Sequence, residues 1–386
     1  MRIGILTQPL HTNYGGLLQA YALQRTLIEL GHDVLTIDIS TEKSFAKKTI
    51  DILSEIKNEF PTTCKIRLKQ LVDHYSNNHK KIISQNTNAF IDNYINKTTK
   101  LTSIKKIKCL QKYNFDAYIV GSDQVWRPKY SPDILTFYLN FLGNDNRILR
   151  IAYAASFGVD HWEYTTELTS KCKMLAQLFD SISVREDSAV NLCKSFLNVE
   201  AIHVLDPTML LQPSHYQAIA TSFDKSENTK PFIATYILDD SIEKQSIIRK
   251  TTNFFNLESI PLMPKSILEY ESSDINTNYI YPSVEYWLKN IINCDFVISD
   301  SYHGAVFSII FNKQFIIVGN PKRGLARITS LLRMFNLETR LVYDNIENLE
   351  DLFTNPIDYK HANEILSNNR DKSINFICNS LAIKSI

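Results

Sequence analysis

Short apolar runs closed by polar clusters recur along this chain. In its first half the runs are residues 2–7, 34–39, 117–120, 148–154, 182–184 and 203–205. Each is short for a helix and bounded by turn-forming residues, so each reads as a buried strand. Polar clusters follow most of them, at 8–16, 121–127, 155–158, 185–187 and 206–208. When the strands of a parallel sheet all end this way, ligand-capable groups gather along one edge, where open α/β sheets bind their ligands. Residues 17–30 carry a helical pattern that stops at Gly31, a C-terminal cap. The opening is therefore βαβ, with Gly15-Gly16 in its first turn. The fingerprint G-x-G-x-x-G is missing, so no dinucleotide is inferred, although the loop's backbone N–H groups suit an anion.

Residues 41–110 are polar, rich in Lys and Asn, and mostly helical in pattern, which predicts a helical excursion from the first sheet. A helix is expected over 188–196. Pro213 and the polar run 224–230 mark a boundary, after which the α/β pattern starts again. It runs through 232–238 and 254–262, a helix at 284–292, a strand at 296–298, a helix at 305–311 opened by His303-Gly304, and a strand at 314–318. An exit loop, 319–327, and a helical tail, 359–386, complete it. The predicted fold is α/β, with two Rossmann-like domains facing a central cleft. The first domain is 1–215 and includes the excursion, the second is 225–355, and the tail is 356–386.

The densest polar turn is Asp300-Ser301-Tyr302-His303-Gly304, between a strand and an apolar helix. Backbone N–H groups at the new helix start face the same space, and a histidine there can titrate near neutral pH. A capped helix with a structural histidine explains the turn equally well when it is read alone.

Composition narrows the class. Of the 386 residues, 44% are hydrophobic and 22% charged, which fits a core-forming globular protein of two domains. The 42 Lys and Arg nearly balance the 41 Asp and Glu, so nothing calls for nucleic acid. The six cysteines, Cys64, Cys109, Cys172, Cys193, Cys294 and Cys378, are dispersed. That pattern suits a reducing cytosol, with neither disulfides nor a cysteine-based metal site. The first residues are too short an apolar run for a signal peptide, and no run reaches the ~20 residues of a membrane span. A cytoplasmic location is expected. The basic stretch Lys105-Lys106-Ile107-Lys108 allows peripheral contact with anionic lipid, or is simply a solvated helix face.

Several clusters, taken in order, resemble the polysaccharide pyruvyl transferases. They are Asn13-Tyr14-Gly15-Gly16, Gly121-Ser122-Asp123-Gln124-Val125-Trp126, Ala155-Ser156-Phe157-Gly158, Val184-Arg185-Glu186-Asp187, Asp206-Pro207-Thr208, Ser299 to Gly304, and Lys322-Arg323-Gly324 with Arg327. Each is weak by itself; the ordered set is specific and spans residues 2 to about 345. The resemblance implies a GT-B-like fold, phosphoenolpyruvate as donor and a sugar as acceptor. The product it implies is a cyclic pyruvate ketal on a hexose such as galactose, commonly in a lipid-linked repeat unit at the inner face of the cytoplasmic membrane. It implies phosphoenolpyruvate as co-substrate, with no cofactor and no metal; the chain shows no carboxylates or histidines at metal-ligand spacing.

The same resemblance distributes roles. His303 becomes the candidate general acid, or a cation for the phosphate. Arg185, Ser301, Tyr302, His303, Gly304, Lys322, Arg323 and Arg327 form the donor side. Asp123 and Asp300 are candidates for taking a proton from a sugar hydroxyl, and equally for capping turns. His11, Asn13, Tyr14, Gly15, Ser122, Gln124 and Trp126 form the acceptor side, with Trp126 either stacking on a sugar or packing in the core. Many family members carry Ser-x-Arg-x-His-Gly where this chain has Ser299-Asp300-Ser301-Tyr302-His303-Gly304, so Ser301 stands at the arginine position. Two other readings compete. One is a GT-B glycosyltransferase using a nucleotide sugar, which the scarcity of glycine before Gly304 in the second domain disfavours. The other is a non-catalytic glycan-binding member, which the missing arginine favours and His303 with its neighbouring cations disfavours.

Overall fold

The computed structural model describes residues 1–39, 81–131, 133–223, 230–264, 277–343 and 349–383. Two parallel sheets form its frame. The first holds β1 (Arg2–Leu6), β2 (Asp33–Thr36), β3 (Ala117–Val120), β4 (Leu149–Ala155), β5 (Ser181–Val184) and β6 (Ile202–His203), in the order β2-β1-β3-β4-β5-β6. The second holds β7 (Phe232–Tyr236), β8 (Glu258–Pro261), β9 (Phe296–Ser299), β10 (Gln314–Val318) and β11 (Leu341–Val342), in the order β11-β10-β9-β7-β8. The register sets Ile3 beside both Val34 and Ala117, and Val297 beside both Ala234 and Phe315. The central strands β3, β4, β7 and β9 are buried along their whole length, so each sheet is covered on both faces, as parallel sheets require.

The strand order reverses between β1 and β3 in one sheet and between β7 and β9 in the other. Loops leaving neighbouring strands in opposite directions open a crevice at each of these points. The two crevices face each other, and the cavity lies between them.

Element boundaries differ from the sequence pattern where a side chain intervenes. The first helix starts at Tyr14 rather than residue 17, because the Asn13 side chain accepts the Gly16 N–H at 3.2 Å and caps it. The helix expected over 188–196 is Asp187–Leu192, continued by a wider π turn at Cys193–Leu197. Part of the excursion, 40–80, lies outside the described residues. The rest includes the helix Gln85–Tyr94 and the 3₁₀ segment Ile104–Tyr113, which buries Ile107 and Leu110 and exposes Lys105, Lys106 and Lys108.

The domains share a core rather than an open gap. Tyr14 stacks on Trp287 with ring centroids 5.7 Å apart, and its hydroxyl donates to the Pro282 carbonyl at 2.8 Å. The helix Pro213–Thr221 packs on the helix Val284–Asn293, and Tyr216 meets Phe307 edge-on at 5.0 Å. A boundary at 215 therefore falls within a helix that packs on the second domain, while its Tyr216 hydroxyl donates to the Thr208 carbonyl of the first at 2.8 Å. The tail helix Tyr359–Ala382 returns to the first domain, where Ser373 Oγ accepts the Leu205 N–H at 3.0 Å and Arg370 Nε donates to the Met209 carbonyl at 2.9 Å. Cys109, Cys172, Cys193, Cys294 and Cys378 are free thiols, and Cys64 lies outside the described residues. Burial pushes the Cys172, Cys193 and Cys294 thiols up to about 12, which makes them poor nucleophiles. Among the described residues no helix is long and apolar enough to cross a membrane.

Candidate active site

A cavity of about 290 Å³ opens between the two sheet edges. The loop after β1 lends it Gln8, His11 and Asn13, and the turn after β3 lends Asp123, Gln124 and Tyr130. From the second domain come Leu238 after β7, Asp300 to His303 after β9, and Asn320, Arg323, Gly324, Arg327 and Ile328 after β10.

Two close approaches set His303 in this wall. Ser299 Oγ donates to the Tyr236 carbonyl at 2.8 Å and accepts the Ser301 N–H at 3.0 Å, which shapes the turn. A Cβ on Gly304 would stand 2.1 Å from that oxygen, so only glycine lets the helix Tyr302–Ile310 start so close to the strand. Across the cleft, a Cβ on Gly15 would stand 2.0 Å from His303 Nδ1. The imidazole is thus clamped against bare backbone from the other domain. Gly15→Ala should destabilise the protein by about 1–3 kcal/mol, the usual cost of overpacking, and displace the ring. A urea midpoint equal to wild type, with unchanged turnover, would show that the clamp has no role.

His303 is 4% exposed, and its Nε2 has no hydrogen-bond partner. The Asp206 carboxylate lies 3.7 Å from it, within charge attraction but beyond a hydrogen bond. Asp206 is the hub behind the wall. It accepts from Thr208 N–H at 3.0 Å, Thr208 Oγ1 at 2.7 Å, Ser122 Oγ at 3.1 Å and Arg185 Nη1 at 2.7 Å. Burial would raise its carboxyl, but His303, Arg185 and the Thr208 hydroxyl outweigh that and hold it far below the usual range.

Arg185 is fully enclosed. Its other arm donates to Asp123 Oδ1 at 3.2 Å, and its guanidinium lies 4.5 Å from the centre of the Tyr302 ring. It does not face the cavity; two carboxylates draw it inward. Asp123 sits at φ +67°, a left-handed conformation that aspartate tolerates, and its Oδ1 also accepts the Gln124 N–H at 2.9 Å. Burial opposes ionisation of Asp123, yet Arg185, Arg327 and His303 keep it below the ordinary carboxylate range.

Arg327 differs from the other cations. It lines the cavity, its side chain is 11% exposed, and its Nε has no partner. Its closest carboxylate oxygen, Asp123 Oδ1, is 3.9 Å away and already taken by Arg185. Burial, together with the like charge of Arg185, lowers its pKa. Arg323, in contrast, is paired with Asp239, through its Nε and through Nη2 at 2.7 Å. The side chain of Lys322 lies outside the described part of the structure.

Asp300 lines the cavity but its oxygens are occupied. They accept the Leu238 N–H at 2.7 Å, the Asp239 N–H at 3.1 Å and Lys244 Nζ at 2.6 Å. It shapes a loop and is not free to take a proton. Of the other expected residues, Ser301, Tyr302, His11, Asn13 and Gln124 reach the cavity. Trp126 does not: it is fully buried, stacked on Tyr138 at 5.0 Å, with its Nε1 donating to the Phe137 carbonyl at 3.1 Å. Tyr14, Gly15, Ser122 and Gly304 pack behind the walls, where they support the residues that face inward.

Sequence reasoning passed over Lys244, Arg127 and Tyr130, and gave Asp206 no place among the site residues. A buried lysine in the amphipathic helix Ile242–Phe255 carries no local signal of its partner Asp300, which follows 56 residues later. Asp206 does cap the short turn Pro207–Met209, but its second oxygen is the anchor for Arg185. Among the described residues no cluster of three or more His, Cys, Asp or Glu side chains could hold a metal ion.

Two parallel sheets with flanking helices, opposed across a cavity and tied by a returning C-terminal helix, make the GT-B frame. The frame is similar to that of S. aureus MnaA in its UDP co-structure, at 11% identity and a TM-score of 0.54, covering 100% of this chain and 98% of that one. UDP-GlcNAc 2-epimerase from Methanocaldococcus jannaschii is also similar, at 12% identity and a TM-score of 0.49, covering 93% of each chain. At such identity the likeness to MnaA is one of fold. The family model for polysaccharide pyruvyl transferase matches residues 13–322, and the chain belongs to that family. No curated protein sequence matches it.

Proposed function

We propose that the protein transfers the pyruvyl group of phosphoenolpyruvate to two hydroxyls of one sugar, forming a cyclic ketal and releasing phosphate. The observation that carries this reading is Arg327, a cavity-lining guanidinium whose Nε lacks a hydrogen-bond partner, in the same wall as His303, whose Nε2 also lacks one. A cation so poorly matched in a cavity wall suits an anionic ligand, and a planar fork suits phosphate or carboxylate. Ser301, where many relatives carry arginine, opens onto the same space, so Arg327 supplies the charge from the first turn of the helix Ala326–Met334.

The chemistry then assigns each group a task. Arg327, with Arg323 at the rim, holds the phosphate and carboxylate of the donor and stabilises charge as phosphate leaves. His303 delivers a proton to the methylene carbon, which leaves an oxocarbenium-like centre at the adjacent carbon. One sugar hydroxyl attacks that centre and its proton returns to His303; the C–O bond to phosphate breaks, and a second hydroxyl closes the ring as its proton leaves with the departing phosphate. Asp123, held ionised, accepts a hydrogen bond from the attacking hydroxyl and orients it. The acceptor in this reading is a hexose such as galactose in a lipid-linked oligosaccharide. The lysines exposed on Ile104–Tyr113 would let the enzyme lean on the inner face of an anionic membrane.

The test is direct. Purified protein is incubated with phosphoenolpyruvate and galactose-, glucose- or N-acetylhexosamine-containing acceptors. Released phosphate and the mass of the acceptor are followed together. Equimolar phosphate and ketal on one acceptor is the expected result; sugar transfer from a nucleotide sugar instead would replace the reading.

A further inference from the structure

We propose that Tyr130 is the platform on which the acceptor's pyranose ring stacks. The proposal rests on the reading that the cavity receives a sugar, and it names the residue that would select it. Of the aromatic rings in the wall, Tyr302 is 4% exposed and covered by two guanidiniums, whereas Tyr130 is 40% exposed. Trp126, the stacking candidate suggested by the sequence, is sealed in the core. Tyr130 is the ring left to meet a ligand.

The ring is held, not loose. The Arg127 guanidinium lies 5.1 Å from its centre, and Lys129 Nζ lies 5.7 Å from it. Arg127 is itself 5% exposed and fixed on three sides. It donates to Glu163 at 3.0 and 3.1 Å, to Gln124 Oε1 at 3.0 Å, and to the Arg323 carbonyl of the second domain at 3.1 Å. The backbone is fixed as well: the N–H groups of Tyr130 and Ser131 both donate to the Arg127 carbonyl, at 3.1 and 3.0 Å. An exposed aromatic backed by an immobilised cation is ordered before any ligand arrives, so little entropy is lost on stacking.

The chemistry of the wall fits a pyranose. One face of such a ring presents C–H groups, which pack on an aromatic ring, while its hydroxyls need donors and acceptors at the rim. Gln8 and Gln124 line the first-domain wall with Tyr130; Gln8 Nε2 is held by the Gln124 carbonyl and Ser131, and Gln124 Oε1 by Arg127, so the Gln8 oxygen and the Gln124 amide nitrogen are the atoms offered to hydroxyls. Arg327, whose Nε lacks a hydrogen-bond partner, belongs to the second-domain wall. Sugar and anion are thus received from opposite sides, and their reacting atoms meet between.

Saturation-transfer NMR with methyl β-galactoside and methyl β-glucoside tests this without turnover. Wild type and Tyr130→Trp should saturate the C–H protons of one face of at least one glycoside. Tyr130→Ala should bind it roughly tenfold more weakly, the worth of one aromatic contact. The thermal upshift given by phosphoenolpyruvate serves as the fold control. Equal saturation in Tyr130→Ala, or no saturation of either glycoside by wild type, overturns the platform. Saturation lost in Tyr130→Ala while phosphoenolpyruvate gives no upshift to any of the three proteins supports the platform and defeats the donor reading alone.

Discussion

His303→Gln is expected to lower kcat by about 10²–10⁴-fold, the usual worth of a positioned acid or base. Glutamine keeps much of the volume and one donor, so the wall should stay folded. What it loses is the proton that a ring nitrogen can hold and release. No hydrogen bond within the fold occupies that nitrogen: Nε2 is buried in the cavity wall without a partner, 3.7 Å from the Asp206 carboxylate, and Nδ1 is clamped toward Gly15. The measurement is kcat at saturating donor and acceptor, with a urea midpoint to show that the fold is intact. A kcat near wild type would remove His303 from the chemistry.

Arg185→Met is expected to cost about 3–5 kcal/mol of stability, because removing one partner leaves buried charge uncompensated. Asp206 and Asp123 would both remain, enclosed and ionised, with their strongest donor gone. Adding Asp206→Asn should recover part of the loss, since it removes one stranded charge. Acid sensitivity should move too. Both carboxyls lie below their ordinary value in the folded protein. Their contribution is therefore complete above the unfolded value, about 3.9, and is lost as pH falls through the lower folded values. Methionine at 185 raises those folded values, so less of this contribution exists at neutral pH, and less remains to be lost on acidification. Urea midpoints of wild type and variant between pH 7 and pH 3 check this. A variant as stable as wild type at pH 7 would mean that the pairs contribute nothing net.

The frame was legible because buried parallel strands are written as short apolar runs, and every strand of the two sheet centres appeared that way. The site loops were legible because polar clusters followed those strands. Direction was not legible. Arg185, Asp300 and Trp126 lie in clusters of the same kind as those of Asp123 and Ser301, yet Arg185 and Trp126 turn inward and Asp300, though it reaches the cavity, has its oxygens taken. What holds them is distant in sequence: Asp206 for Arg185, Lys244 for Asp300, and the Phe137–Tyr138 segment for Trp126. A cluster fixes which atoms reach a sheet edge, and long-range partners decide which of them remain free for a ligand. The contacts made across the domain boundary were illegible for a similar reason. Pro213 reads as a break, but it is the first residue of a helix whose Tyr216 packs on Phe307 of the second domain.

The most direct measurement is the thermal midpoint of wild type and Arg327→Met with phosphoenolpyruvate, inorganic phosphate, and UDP- and GDP-sugars. A ligand that binds only the folded state at about 100 times its Kd adds roughly 2.7 kcal/mol of stability. Wild type should be raised by phosphoenolpyruvate well beyond phosphate, and Arg327→Met should lose most of that rise. An upshift with a nucleotide sugar and none with phosphoenolpyruvate would contradict the proposed donor.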